Sequence, residues 1–454
     1  MKERKRIDLG VVAERAVLVG LILPGDAPRG TRYDPLAELA SLAEAAGAQV
    51  VGRTIQKRGR IDPATYIGSG KVEELAAYAD EKGADVIIFD NELTPSQIRE
   101  LDKACKRRVI DRTELILDIF ASRARTATAR LQVELAQLEY TSPRLRGMWT
   151  HLERIAGAGG GTTAGAVGAI GTRGPGERQI EIDRRIVQKR VTFLRNQLAH
   201  IDQRRVREVR ARGDYFTVSL VGYTNAGKST LMNALTGAET YVADKLFATL
   251  DTRTRRWNLG GGQLALLSDT VGFVRDLPHQ LVASFRATLE ETIHSDLLLH
   301  VVDASAHDAI QQYEAVRSVL GELECDTIPA IIVLNKIDAL DDAGELALLR
   351  AQLPDAAEIS ARSGAGLPEL SGRVLAVMRD RFVRLWLESS SANGRLISYL
   401  SQHGHVLGRE YVDGRVRLDV RLPRGEVARV VKMGASVVDS SSAGPAGTDS
   451  AVDA

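Results

Sequence analysis

The chain has 454 residues, about three times the length of a typical domain, so we expect two to four domains with cores of their own. Its 44% hydrophobic and 26% charged residues exclude a disordered or fibrous protein. The net charge is +1, so any attraction to nucleic acid must come from local clusters. Cys105 and Cys325 lack metal-ligand spacing, and no apolar run approaches the roughly 20 residues of a membrane span, so we expect a cytoplasmic protein.

Residues 1–125 alternate apolar β-type runs with amphipathic helical stretches, which predicts a small α/β domain. Val17–Leu23 and Val86–Phe89 are its clearest predicted strands. Asp34 is a candidate cap for one helix, and Thr94 before Pro95 for another.

Residues 126–212 predict a helical hairpin. Leucines at helical spacing mark its first helix, and the apolar seam of the returning helix alternates steps of four and three: Leu131, Leu135 and Leu138, then Val187, Val191, Leu194, Leu198 and Ile201. Nine glycines between Gly157 and Gly176 predict a mobile tip.

The tip and its shoulders are rich in arginine, which binds phosphate bidentately, and glycine permits close backbone approach. We therefore expect contact with structured RNA through Arg144, Arg146, Arg154, Arg173 and Arg178. The returning helix adds further basic residues, and its distal arginines at 204–212 fit a solvated helix face equally well.

Residues 213–390 return to α/β alternation and predict a P-loop GTPase domain built on a doubly wound parallel sheet. Its predicted strands are Phe216–Val221, Leu264–Leu267, Leu297–Val302 and Ala330–Leu334, and a helix over Val374–Leu387 closes it. Residues 391–439 predict a small α+β domain with one helix, and 440–454 a disordered tail.

A complete G-x-x-x-x-G-K-S pattern lies between a predicted strand and a predicted helix. Its residues are Gly222, Tyr223, Thr224, Asn225, Ala226, Gly227, Lys228 and Ser229. Such a loop cradles phosphates with backbone N–H groups, while Lys228 neutralises the β- and γ-oxygens and the Ser229 hydroxyl ligates Mg²⁺.

Three further segments complete a predicted GTP site. Asp269 holds Mg²⁺ through a water and Gly272 meets the γ-phosphate, in the run Asp269, Thr270, Val271 and Gly272. Asp338 accepts hydrogen bonds from two guanine donors that adenine lacks, in the run Asn335, Lys336, Ile337 and Asp338. A backbone N–H of Ser360, Ala361 and Arg362 is expected to meet the guanine oxygen.

The switch I region is expected between the phosphate-loop helix and Asp269, in Phe247, Ala248, Thr249, Leu250 and Asp251. We favour Thr249 as its Mg²⁺ ligand, with Thr252 as the alternative. The predicted catalytic set is Asn225, Lys228, Thr249 and Gly272, and the predicted metal set Ser229, Thr249 and Asp269.

These motifs together resemble the HflX-type ribosome-associated GTPases over nearly the whole length. The resemblance rests on GYTNAGKS, FATLD, DTVGFV followed by DLP, NKID, and the upstream GAIGTRGPGERQIEIDRR. It implies GTP hydrolysis coupled to the large ribosomal subunit and its RNA, with ribosome splitting or rescue under stress as the cellular role. The alternatives are a ribosome-assembly GTPase, or a nucleotide-dependent adaptor away from the ribosome. We expect a monomer without stable membrane insertion.

Three positions bear on mechanism. Phe273 stands where many small GTPases carry a water-orienting glutamine, so hydrolysis is expected to be slow alone and stimulated by the ribosome. Asn225 resembles the asparagine of GTPases that recruit a monovalent cation such as K⁺, with local turn bonding as the alternative.

The family resemblance also raises a second, ATP-related activity at Tyr66–Lys71, but neither half of a phosphate cradle is complete there, and we favour a turn that caps a helix.

Overall fold

The computed structural model describes residues 13–24, 34–144, 184–201, 215–237, 247, 253–260, 262–275, 292–340 and 343–438. In these ranges the predicted α/β architecture is confirmed, with three separate four- to six-stranded sheets. Within the described part of the chain, no helix is long and apolar enough to cross a membrane.

The first sheet is four-stranded and parallel, in the order β2-β1-β3-β4. Its elements are β1 (Arg15–Ile22), α1 (Ala37–Ala45), β2 (Gln49–Lys57), α2 (Ser69–Lys82), β3 (Val86–Phe89), α3 (Pro95–Cys105), β4 (Arg108–Asp111) and α4 (Arg112–Arg123). α2 and α3 cover one face of the sheet, while α1 and α4 lie in a second core that continues into the nucleotide-binding domain. The layer formed by α1 and α4 therefore joins the two domains.

The prediction that Thr94 caps a helix is confirmed, since Thr94 forms a capping box with Gln97 at the start of α3. The prediction that Asp34 caps a helix is wrong: the N-cap of α1 is Leu36, without a side-chain cap, and Asp34 lies two residues earlier, where it accepts from the Leu36 N–H. Tyr66, Ile67 and Gly68 lead into α2, which begins at Ser69, and Lys71 in its first turn pairs with Glu74 at 2.8 Å. This geometry is that of a helix cap, as favoured from the sequence.

The two predicted helices are present as α5 (Ala127–Thr141) and a partner helix, α6, over 184–201. The predicted apolar seam forms one core made of Leu131, Leu135, Leu138, Val187, Val191, Leu194 and Leu198. The prediction of a hairpin is wrong, because Glu134 pairs with Arg190 and Glu139 with Arg195, five residues further along both helices, so α5 and α6 are parallel. The glycine-rich tip and the arginines at 204–212 lie outside the described residues.

Arg144 was predicted to belong to the RNA-binding tip, and this prediction is wrong. Its side chain is buried just after the carboxyl end of α5, where the guanidinium donates to the Tyr140 and Leu93 carbonyls and stacks on the Tyr140 ring at 3.5 Å. Asp111 lies 3.4 Å from the guanidinium and accepts from the Tyr140 hydroxyl at 2.7 Å. A buried charge needs such partners, so Arg144 fixes the end of α5 to the first sheet.

The second sheet has the order β10-β9-β8-β5-β7-β6 and carries helices on both faces. Its elements are β5 (Phe216–Gly222), α7 (Lys228–Thr236), β6 (Arg253–Gly260), β7 (Gln263–Asp269), β8 (Leu297–Asp303), α8 (Ala309–Glu322), β9 (Ala330–Asn335), α9 (Ala343–Gln352), β10 (Ala357–Glu358) and α10 (Leu367–Arg381). The four predicted strands are confirmed. β6 was not predicted, and it pairs antiparallel with β7 at the edge of the sheet.

The third sheet is antiparallel, in the order β12-β13-β11-β14. Its elements are β11 (Phe382–Ser390), α11 (Gly394–His403), β12 (His405–Val412), β13 (Arg415–Pro423), α12 (Arg424–Lys432) and β14 (Ser436–Val438). Two predictions are corrected here: the helix predicted to Leu387 ends at Arg381, and two helices cover the sheet where one was predicted. The segment from Phe382 is a strand because its alternating side chains pair with β13.

Candidate nucleotide-binding site

The phosphate loop runs from the carboxyl end of β5 to the first residue of α7. Gly222 has φ +151°, and a Cβ there would lie 2.2 Å from the Val301 carbonyl oxygen. Gly227 has φ +90°, and its Cβ would lie 2.3 Å from Asn335 Nδ2. Glycine is therefore required at both ends of the loop, where the backbone turns tightly between the central strands and the helix. Asn225 also has a positive φ, +62°, which asparagine tolerates better than most residues.

Lys228 and Ser229 begin α7 at the centre of the site. Lys228 is buried, and its ammonium group donates to the Gly222 and Tyr223 carbonyls at 2.9 and 2.7 Å. Burial lowers the pKa of Lys228 to about 8. The Ser229 hydroxyl donates to Asp269 Oδ2 at 2.6 Å. A buried cation and a hydroxyl–carboxylate pair thus lie side by side on the phosphate loop.

Hard oxygen donors are the ligands that Mg²⁺ prefers, so the Ser229 and Asp269 side chains fit this ion. They come from different elements, α7 and β7, and are brought together by the pairing of β5 with β7. Thr249, the third predicted ligand, lies outside the described residues, as do Ala248, Leu250, Asp251 and the alternative Thr252.

The base-recognition loops are tied together by Asn335, which is 2% exposed. Its amide donates to the Ala226 carbonyl at 2.9 Å, and its Oδ1 accepts from the Ala361 N–H at 2.9 Å. The Ala361 amide, one of those predicted to meet guanine, is thus engaged by Asn335. Asp338 is exposed in the turn that follows β9.

The other residues of these loops support the backbone. Lys336 has φ +64° and pairs with Asp303 at 2.6 Å. Ile337 N–H donates to the Ile359 carbonyl at 3.3 Å, and Ser360 is fully buried. Arg362 is exposed beside them. The structure therefore brings together the residues that were predicted to surround the base.

Switch II begins at Asp269, and its first residues lie directly against the phosphate loop. The Thr270 hydroxyl donates to the Leu220 carbonyl at 2.6 Å. Phe273 donates to the Gly222 carbonyl at 3.1 Å and accepts from the Thr224 N–H at 2.7 Å. A Cβ on Gly272 would lie 2.8 Å from Thr224 Cγ2 and 3.1 Å from Lys228 Nζ, so only glycine fits here. Val271 and Phe273 are both buried.

Comparison with protein families gives three adjoining matches along the chain. They are a "GTP-binding GTPase N-terminal" model over residues 33–121, a "GTP-binding GTPase Middle Region" model over 123–212, and a "50S ribosome-binding GTPase" model over 217–336. The GTPase HflX of Escherichia coli (strain K12) is 41% identical over 96% of this chain and 99% of its own length. The chain belongs to the HflX GTPase family.

Two further HflX relatives support the assignment. That of Lacrimispora saccharolytica is 43% identical over 92% of this chain and 95% of its own, and that of Alkalihalophilus pseudofirmus is 50% identical over 68% and 70%. The family resemblance drawn from the motifs is thus confirmed, and the chain is a GTPase that binds and hydrolyses GTP.

In this HflX GTPase, several contacts of the site were not predicted from the sequence. The Tyr223 hydroxyl and the Arg275 side chain both reach residues of the first sheet domain, Glu38 and Asp90. Their partners lie 185 positions away in the sequence, so no local pattern indicates them. The one sequence signal for these contacts was the charge of Arg275, which directly follows the buried residues Phe273 and Val274.

Proposed function

We propose that this HflX GTPase binds the large ribosomal subunit in its GTP state and splits or rescues ribosomes under stress. The observation that carries the proposal is the pair of parallel helices α5 and α6, which share an apolar seam and which Arg144 attaches to the first sheet. The Arg- and Gly-rich segment of the sequence connects these two helices, so both of its ends start from this attached pair. The family description "50S ribosome-binding GTPase" for residues 217–336 supports the same partner.

The nucleotide chemistry follows from the side chains of the site. Hydrolysis joins a water oxygen to the γ-phosphorus and breaks its bond to the β–γ bridging oxygen, giving GDP and phosphate. Lys228 would neutralise charge on the β- and γ-oxygens, and the Gly272 N–H would donate to the γ-phosphate. Ser229 and Asp269, with Thr249, would hold Mg²⁺, which shields phosphate charge when bound.

Phe273 supports slow hydrolysis in isolation. Its side chain is 3% exposed and apolar, so it neither orients a water molecule nor accepts a proton. We therefore propose that the ribosome stimulates turnover, and that a cation such as K⁺ held near Asn225 supplies part of the missing charge stabilisation. Hydrolysis rates measured with and without large subunits, in KCl and in NaCl, would test both parts.

The ribosomal role is tested by cosedimentation of the full chain with purified large subunits, in a non-hydrolysable GTP analogue and in GDP. We expect binding in the analogue and weaker binding in GDP. Substituting Arg173 and Arg178 together by alanine should weaken binding and leave GTP affinity intact, because neither residue belongs to the phosphate loop. The matched control removes two exposed arginines elsewhere, Arg99→Ala with Arg379→Ala. Equal binding by both double variants and the parent would contradict the proposal.

Sucrose gradients separate this role from its alternative. A splitting factor converts whole ribosomes to subunits when added with GTP, whereas a ribosome-assembly GTPase leaves them intact and enriches immature subunits when it is depleted. We further propose that the protein acts as a cytoplasmic monomer. Sedimentation velocity of the full chain should give one species of monomer mass, and a stable dimer would contradict this.

A further inference from the structure

All three nucleotide-responsive elements of the described chain contact the domain of the first sheet. The phosphate loop does so through Tyr223, switch I through Phe247, and switch II through Arg275. The contacts on the other side come from α1, from the end of β3 and from α4. We call the polar part of this junction the interdomain cluster: Glu38, Asp90, Arg112, Tyr223 and Arg275.

Arg112 lies at the centre of the interdomain cluster and is 2% exposed. Its guanidinium pairs with Asp90 at 2.7 Å and with Glu38 at 2.8 Å. Its Nε donates to the backbone carbonyl of Arg275 at 3.3 Å. A buried guanidinium is stable only while its partners stay in place, so Arg112 favours one position of switch II.

Tyr223 and Arg275 are joined to each other as well as to the first domain. The Tyr223 hydroxyl donates to Glu38 and accepts from the Arg275 N–H at 2.7 Å. The Arg275 side chain pairs with Asp90 at 3.0 Å. One hydroxyl group thus links the phosphate loop, the switch II backbone and α1.

An apolar core backs the interdomain cluster. Phe247 packs on Phe120 of α4 with ring centroids 4.5 Å apart at an interplanar angle of 66°. Phe273 and Val274 of switch II are buried in the same core as Leu36 and Ile116. The junction is therefore packed and desolvated around Arg112, which strengthens the ion pairs of this residue relative to exposed ones.

Switch II lies closed against the phosphate loop in this arrangement. The Thr224 N–H already donates to Phe273, and a Cβ on Gly272 would lie 3.1 Å from the Lys228 ammonium nitrogen. A γ-phosphate needs hydrogen-bond distances of about 2.7–3.1 Å to donors on both sides of it. The Thr224 N–H of the phosphate loop is engaged by the Phe273 carbonyl, so a phosphate that accepts from this N–H has to move switch II outward.

We propose that the interdomain cluster latches switch II in its closed position, with Arg112 as a positioning residue, and that GTP binding releases the latch. Gly272 and Arg275 are three residues apart, so an outward movement of Gly272 pulls Arg275 away from Asp90 and Tyr223. The latch therefore lowers the affinity for GTP relative to the affinity for GDP. By thermodynamic reciprocity, GTP loosens the contact between switch II and the first domain. This inference goes beyond the proposed ribosomal role, and its test contains no ribosomes.

The test compares GDP with a non-hydrolysable GTP analogue by equilibrium binding to the full chain. Arg275→Met keeps the aliphatic stem and removes the pair with Asp90, and Asp90→Asn weakens both arginine contacts with little change of shape. We expect either variant to raise the affinity for the analogue relative to GDP by at least about fivefold, the lower end of usual allosteric coupling. The control is Arg384→Met, which removes an ion pair of similar length, with Asp419, in the third sheet.

Retained GDP affinity shows that a variant is folded. Equal loss of both affinities would show that the interdomain cluster only supports the fold, and an unchanged ratio in both variants would show that switch II moves independently of it. Either result overturns the proposal. Because Arg275 is 40% exposed, its substitution is the less disruptive of the two.

A second experiment measures the distance between the domain of the first sheet and the GTPase domain. It uses energy transfer between dyes attached to Glu73→Cys and Asp380→Cys, both exposed positions. The native Cys105 and Cys325 are buried, and burial raises the pKa of the Cys105 thiol to about 11, so labelling is selective. The GTP analogue should change the transfer efficiency relative to GDP, and Arg275→Met should shift the GDP value towards that of the analogue. Transfer that is independent of nucleotide would overturn the proposal.

Discussion

Replacing Asn335 with alanine removes one buried amide that joins the phosphate loop to the Ser360–Arg362 loop. Two hydrogen bonds of 2.9 Å are lost, and they leave the Ala226 carbonyl and the Ala361 N–H without their partner. An unsatisfied buried backbone group costs about 1–3 kcal/mol, so we take about 2–4 kcal/mol for the pair. Bound nucleotide then has to bring the two loops together itself.

At 1.4 kcal/mol per tenfold change, this cost weakens GDP binding by roughly 30- to 700-fold. Fluorescent GDP titrated into the full chain measures the effect. Asn258→Ala is the matched control, because Asn258 is an exposed residue of β6 whose side chain accepts from the Gly260 N–H, within its own strand. A GDP affinity of Asn335→Ala within twofold of the parent would refute the bridging role.

Three further results are expected. Lys228 must be protonated to hold phosphate, and its pKa is about 8 before nucleotide binds. GDP affinity should therefore be constant below pH 7 and about tenfold weaker at pH 9. Lys228→Met should give a flat pH profile, and a flat profile in the parent would contradict the role of Lys228. Asp338→Asn should shift preference from guanine towards xanthine nucleotides, measured by competition against labelled GDP, and equal competition by ATP in the parent would show that the base assignment is wrong. Ser229→Ala should impair Mg²⁺-dependent GTP binding and hydrolysis more than GDP binding, and unchanged Mg²⁺ dependence would remove Ser229 from the metal site.

The sequence predicted those features that depend on residues close together in the chain. The phosphate loop follows a buried strand and precedes a helix, and the Thr94 cap is three residues from its Gln97 partner. The two-helix seam was visible because its spacing is regular. In each case the physical cause lies within a few turns of the chain.

The features that were missed depend on distant partners. Phe382–Ser390 is a strand because β13 and β14, both more than 20 residues later, supply its hydrogen bonds. Arg144 was interpreted as a solvated phosphate ligand, since nothing nearby in the sequence shows that Asp111 and the Leu93 carbonyl surround it. The interdomain cluster joins residues as far as 185 positions apart.

The direct junction between α10 and β11 attaches the third sheet to one end of the GTPase domain. α10 packs into the core beneath the base-recognition loops through Leu370, Val374 and Met378, and β11 begins at the next residue with no intervening linker. Arg421 of the third sheet also donates to Gln263 at the start of β7. The third sheet is thus attached where β7 begins, at the amino-terminal ends of the parallel strands. The first domain contacts the phosphate loop and switch II, which follow the carboxyl ends of β5 and β7. The two attached domains therefore contact the GTPase domain at opposite ends of its parallel strands.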